Sequence, residues 1–286
     1  MKIKTAPRIL LMTAAVICFT FVSCRKKKDD DDKDTTSARD NALAEGAFND
    51  VANIADQAAT GSLATYFAPS SSQHKSSESM LSSCAAISND TSVSPHMLTI
   101  DFGSSNCLCS DGRYRRGKIN VAYNGLYRDS ASTHTITFTN YYVENNKISG
   151  TKTVVNNGHN AAGNLTYDIT VNGQIDKISG GFITWTSSRT REWILGETTP
   201  PWGDDVYLIT GSATGISTPA SGTSTSFTVS ITQALRKELG CRHFVSGKFD
   251  LTPSGKATRH VDFGTGACDN TASVTINGHN YNVTLN

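Results

Sequence analysis

The sequence predicts a mainly β protein: a large antiparallel meander, forming a curled sheet, a sandwich or an open barrel, with one N-terminal amphipathic helix. Three observations carry this. From about Cys84 to the end, apolar residues recur at every second position over many short stretches, the period of a strand with one buried face. Among these stretches fall Asn124-Gly125, Asn157-Gly158, Asn172-Gly173 and Asn277-Gly278, dipeptides that tolerate the positive φ angles of tight hairpins. The one clear helical periodicity lies before the β region, and strands with no helices between them exclude a βαβ parallel architecture. A chain of 286 residues is long enough for one large β domain or two smaller ones.

The elements follow in order. Lys2, Lys4 and Arg8 precede the uncharged run Ile9 to Val22, which is too short to span a membrane comfortably and has the length of a signal-peptide core. Residues 1–23 are therefore read as a signal peptide. Phe21-Val22-Ser23-Cys24 resembles the lipobox of bacterial lipoproteins, although Phe21 stands where leucine is usual. The resemblance implies cleavage before Cys24 and acylation of that cysteine, with buried acyl chains holding the protein to a membrane. Residues 24–37 form a charged tether, Arg25 to Lys28 followed by Asp29 to Asp32, Lys33 and Asp34. Such a run has nothing to bury and is expected to be solvated. Lys28 followed by four aspartates also resembles the export signal of Bacteroidota lipoproteins, which implies the outer face of the outer membrane; a plain spacer would leave the periplasmic side.

Residues 38–83 contain the helix and a polar loop. Ala44, Ala47, Phe48, Val51, Ile54, Ala55 and Ala58 recur at three- and four-residue steps, with Glu45, Asn49, Asn53 and Asp56 opposite. That stripe suits packing on one face of a sheet, and Gly61 and Pro69 are its stop signals. Residues 84–286 form the β domain. Its alternating strands include Ile119-Val121-Tyr123, Ile136-Phe138, Leu165 to Val171, Phe227-Val229-Ile231 and Tyr281-Val283-Leu285. Two similar modules lie near 84–125 and 241–286: Asp101-Phe102-Gly103 matches Asp262-Phe263-Gly264, and each follows a lone cysteine. A kinase reading of Asp-Phe-Gly fails, because the glycine-rich loop and the His-Arg-Asp loop are absent.

Taken whole, the lipobox, the acidic tether, the Ala-rich helix, the segment Cys109 to Gly117 and the closing Cys268-Asp269-Asn270 with its Asn-Gly hairpin make the chain resemble β-rich surface lipoproteins of the Bacteroidota. The resemblance implies a location and no reaction. The expected function is a membrane-anchored, non-enzymatic binding or structural component of the bacterial envelope. Its partners would be the membrane, through the lipid, and a glycan or envelope proteins. An envelope glycan or peptidoglycan hydrolase is the alternative.

The charge balance, 26 basic against 25 acidic residues, gives no global field toward nucleic acid. Arg113, Arg115, Arg116 and Lys118 form a local basic patch, expected to snorkel over a strand edge or to meet anionic lipid. The seven histidines lack ligand spacing, so neither a metal nor a cofactor is expected. No nucleophile elbow is present, and no catalytic residues are assigned. Glu192, Glu197, Asp204 and Asp205 could supply a carboxylate pair, but sequence does not fix their separation. Pro200-Pro201-Trp202-Gly203-Asp204-Asp205 is the candidate ligand loop, with Trp202 raised for stacking on a sugar ring and Asp204 and Asp205 beside it. The alternative is that Trp185, Trp193 and Trp202 all pack in the core.

Of seven cysteines, Cys18 leaves with the signal peptide and Cys24 is acylated, so five remain. An exported chain favours disulfides. Equivalent modules would each carry their own bridge, Cys241 to Cys268 and Cys84 to Cys107. Counting from Asp-Phe-Gly selects Cys107, whereas counting from the acidic turn after it selects Cys109, and both would point to the same face.

Overall fold

The computed structural model describes residues 32–62, 85–199 and 203–285. The signal peptide, Cys24, most of the tether, the polar loop after the helix, Cys84 and Trp202 lie outside the described residues. One helix, α1 (Thr36–Ser62), precedes fourteen strands. These are β1 (Ala86–Asp90), β2 (His96–Asp101), β3 (Cys107–Leu108), β4 (Tyr114–Tyr123), β5 (Thr133–Val143), β6 (Asn146–His159) and β7 (Leu165–Asp176). There follow β8 (Gly181–Leu195), β9 (Val206–Pro219), β10 (Thr225–Glu238), β11 (Ser246–Pro253), β12 (Arg259–Thr265), β13 (Thr271–Ile276) and β14 (His279–Thr284).

All strands belong to one antiparallel sheet in which each neighbours the next in sequence, except that β3 pairs only with β4 and β2 pairs directly with β4. The sheet is not closed into a barrel; β1 and β14 are its edges. Alternation is nearly complete in β7 and β8, where buried positions fall at every second residue. One face is therefore buried along most of the meander, and so long a sheet must curl to cover it. It curls around α1, which touches β1, β2 and β4 toward one edge and β8, β9 and β11 toward the other.

The helix is buried on more than its apolar stripe. Asp40, Asn41, Glu45 and Asp50 are all buried. Each meets a polar partner from the inner face of the sheet. Lys177 Nζ lies 3.0 Å from Asp40, and Ser217 Oγ donates to the same carboxylate. Trp185 Nε1 donates to Asn41 at 3.0 Å, and Arg189 pairs with Glu45 at 2.7 Å. Buried charges persist only when paired and hydrogen-bonded, so these contacts fix both the rotation and the depth of the helix.

Arg115 is likewise fully buried, not snorkelling. It donates to both oxygens of Asp50, at 2.8 and 2.9 Å, and to Asp111 at 2.7 Å. Burial works against its charge, but the hydrogen bonds to Asp111 and the charge of Asp50 outweigh burial and push its pKa up. The end of the tether is also not free in solvent. Arg259, fully buried, donates to Asp32 at 2.7 Å and to the Asp34 carbonyl at 2.9 Å, while Lys256 pairs with the Asp34 carboxylate.

Of the four Asn-Gly dipeptides, only Asn277-Gly278 forms a tight turn, with both φ angles positive, at 50° and 79°. Asn124-Gly125 opens the longer β4–β5 connection. Asn157-Gly158 marks a bulge inside β6, with Gly158 N held by Asn156 Oδ1 at 2.7 Å. Asn172-Gly173 lies within β7, and its glycine serves packing: a Cβ there would fall 2.1 Å from the Phe48 ring. The other two-residue hairpin turn is Glu144-Asn145, with φ 48° and 60°.

The two Asp-Phe-Gly segments adopt the same local structure. In each the aspartate accepts from the glycine N–H at 2.8 Å and pairs with a lysine one strand away, Lys118 at 2.8 Å and Lys248 at 2.9 Å. Both phenylalanines are buried and both glycines have positive φ. The closing module carries the bridge Cys241–Cys268. In the opening module Cys107 is disulfide-bonded and Cys109 is a buried free thiol.

Candidate functional site

The two sides of α1 are packed differently. On one side Phe48 seats over Gly173, stacks on Trp185 at 5.8 Å and meets Phe138 at 6.2 Å. On the other side the helix and β10 to β14 line a cavity of about 530 Å³ that is partly open to solvent. That volume lies within the roughly 300–1,000 Å³ range of small-molecule sites.

The cavity walls follow from alternation. Val229, Phe249, Val261, Phe263 and Val274 are the inward residues of four successive strands, and Leu43 faces them from the helix. Gly46 also lines the cavity, and a Cβ built there would meet nothing within 4 Å. In β10 the pairing shifts between Ile231 and Arg236 on the β11 side and between Ser230 and Leu235 on the β9 side. Such bulges re-aim side chains; beyond this one, Leu235 and Lys237 both reach the cavity.

One end of the cavity is polar and cationic. The β10–β11 turn brings Arg242 and His243, β10 brings Lys237, and the turn before β4 brings Arg113 and Asp111. Arg113 pairs with Asp50 at 3.3 Å. Lys237 Nζ donates to the carbonyls of Cys241 and Arg242. Burial, and then the charge of Arg113, lower its pKa to about 8. Burial, Arg242, Lys237 and Arg113 likewise lower that of His243. The bridge Cys241–Cys268 ties this turn to the segment before β13.

Of the residues singled out in the sequence, Arg113 lines the cavity, Trp202 lies outside the described residues, and the carboxylates of the ligand loop lie elsewhere. Asp204 is exposed and accepts from Thr199 Oγ1 at 2.7 Å, while Asp205 is buried against Gly196. Neither lines the cavity. Glu192 accepts from Asn160 and Asn164, and Glu197 meets His159 at 2.9 Å. Trp185 and Trp193 are core residues. Among the described residues no group of His, Cys, Asp or Glu could hold a metal ion, and no helix is long and apolar enough to cross a membrane.

Sequence reasoning missed Leu43, Gly46, Lys237, Arg242 and His243. Two signals were present: a glycine interrupting an Ala-rich helix, and an arginine and a histidine directly after the cysteine that opens the closing module. Comparison with protein-family models, curated proteins and solved structures finds no match to this chain.

Proposed function

We propose that the protein is an exported lipoprotein, anchored in a bacterial envelope membrane through Cys24, whose curled sheet binds an elongated apolar ligand between α1 and β10 to β14 without transforming it. The observation that carries this reading is Gly46. A mid-helix glycine costs about 1 kcal/mol relative to alanine, and here the glycine is exposed, a Cβ built on it would meet nothing within 4 Å, and it lines the open cavity together with Leu43, Val229, Phe249 and Phe263. A purely structural helix would gain by filling it, as Phe48 does on the opposite side.

The tether supports a defined placement near the membrane. Seven residues lie between Cys24 and Asp32, so eight steps of roughly 3.5 Å keep Asp32 within about 28 Å of the acylated cysteine.

Gly46→Phe tests the binding reading. The ring fits the open space, so the variant should retain its thermal midpoint and lose binding of a fluorescent apolar probe such as a pyrene-labelled alkane. Retained binding would move the site away from the cavity. Cys24→Ser should abolish palmitate labelling and release the domain from membranes. Surface display, which rests on the acidic tether, predicts that protease added to intact cells removes the domain.

A further inference from the structure

The cavity has two chemically different ends, and the second one constrains the ligand. Around its polar end, Arg113 and Arg115 are matched by Asp50 and Asp111, two cations against two carboxylates. Three further cationic or titratable groups remain: Lys237, Arg242 and His243. Among the described residues none of them forms an ion pair with a carboxylate. Lys237 is held by two backbone carbonyls, which orient its ammonium; the carboxylate that acts on it, Asp50, is already paired with Arg113 and Arg115, and Asp269 acts on His243 without an ion pair. Arg189, on β8 and more than nine-tenths buried, also lines the cavity and keeps Nη1 without a hydrogen-bond partner although its other nitrogens serve Glu45. Cations without an ion-pair partner beside apolar walls in a partly dry site attract an anion far more strongly than the same charges would in water.

We propose that the cavity selects amphiphiles with an anionic head: an acyl chain lies along Leu43, Val229, Phe249 and Phe263, and a carboxylate or phosphate sits among Lys237, Arg242 and His243. This deepens the binding reading above and rests on it. The bridge Cys241–Cys268 holds the turn that carries two of the three head-binding groups, so the head site is fixed relative to the apolar walls. Charge-assisted hydrogen bonds from lysine and arginine give such a head both orientation and affinity.

The test is calorimetric titration of the mature full chain with laurate, with dodecanol as the uncharged match, and with lauroyl lysophosphatidate. Either anionic ligand should bind at least roughly tenfold tighter than dodecanol at low salt, and whichever anion binds better identifies carboxylate or phosphate as the natural head. The advantage should shrink with added salt, because Arg242 is exposed and its field is screened. Lys237→Gln with Arg242→Gln should lower the affinity for both anions far more than that for dodecanol and so erase the advantage. If loss of Lys237 loosens the turn that it ties, Arg242→Gln alone must still lower the ratio. Equal binding of dodecanol and both anions, or an unchanged ratio in the variants, would overturn the anionic-head inference alone. Absence of binding by all three ligands would overturn it together with the apolar-site reading.

Discussion

The two sides of α1 show opposite uses of glycine. Toward β7 and β8, the missing side chain belongs to the sheet: Gly173 lets the Phe48 ring rest on the strand, where a Cβ would lie 2.1 Å from it. Toward β10 to β14, the missing side chain belongs to the helix, and Gly46 meets nothing within 4 Å. The first glycine is filled by its partner and the second is left open. Shape complementarity on one side anchors the helix, so the other side can hold a cavity without the helix drifting into it. Close packing is the rule in protein interiors, which makes the unfilled side the informative one.

The largest expected effect falls on the buried ion pairs beside the polar end of the cavity, and the next on the packed side. Arg115→Met strands Asp50 and Asp111 without their buried partner and should lower stability by about 3–5 kcal/mol in urea unfolding. Phe48→Ala should cost about 4 kcal/mol, because it creates a void among Trp185, Phe138 and Gly173. Phe249→Ala, also buried but on the cavity wall, should cost about 2–3 kcal/mol, since it enlarges space already present. Equal losses for the two phenylalanines would erase the distinction between the sides.

Acid should also act on the packed side. His134 in β5 is buried, stacked on Tyr123 at 5.7 Å and edge-on to Tyr127 at 5.3 Å. Burial is the main cause that lowers its pKa from 6.5 to about 4, against weaker opposing contributions from the backbone of Gly125 and Leu126. Between those values the unfolded chain binds a proton that the folded chain does not. Stability therefore rises with pH through this window and is lost as pH falls from about 6.5 toward 4, by about 3 kcal/mol from this group. His134→Phe keeps the ring packing and should flatten that part of the stability profile. An unchanged acid limb would place the proton uptake elsewhere.

Much of the fold was legible because the information was local. Alternation placed β4, β5, β7, β10 and β14, three- and four-residue spacing placed α1, and the paired modules placed Cys241 with Cys268. The charges were not legible. Asp50 and Arg115 are 65 residues apart, and Glu45 and Arg189 are 144 apart; nothing in either neighbourhood marks a charge as buried until the sheet has curled. For the same reason the tether read as solvent-exposed, since its partner Arg259 lies on β12. The Asn-Gly dipeptides misled for a different reason. Glycine permits a turn but does not require one, and at Gly173 the requirement came from an aromatic ring on a distant helix. The cavity was hidden because its walls are ordinary inward strand residues, distinguished only by what fails to cover them.

The smallest effect is the most discriminating. Gly46→Ala adds one methyl group in a helix where nothing stands within 4 Å, so it should raise stability by about 0.5–1 kcal/mol through the lower backbone entropy of the unfolded chain. The methyl occupies little of a cavity of about 530 Å³, so ligand binding should persist at nearly unchanged affinity. Gly46→Leu should give a similar stability gain, because leucine is also a good helix former, but its side chain extends across the space between Leu43 and Val229 and should displace an acyl chain. Stability and binding would then separate within one position: both variants more stable, only the larger one unable to bind. On the packed side no such separation is available, since Gly173→Ala already drives a methyl into Phe48 and should destabilise outright. If Gly46→Ala were instead destabilising, the space beside it would be closed in solution, and the contrast between the two sides of the helix would fail at its origin.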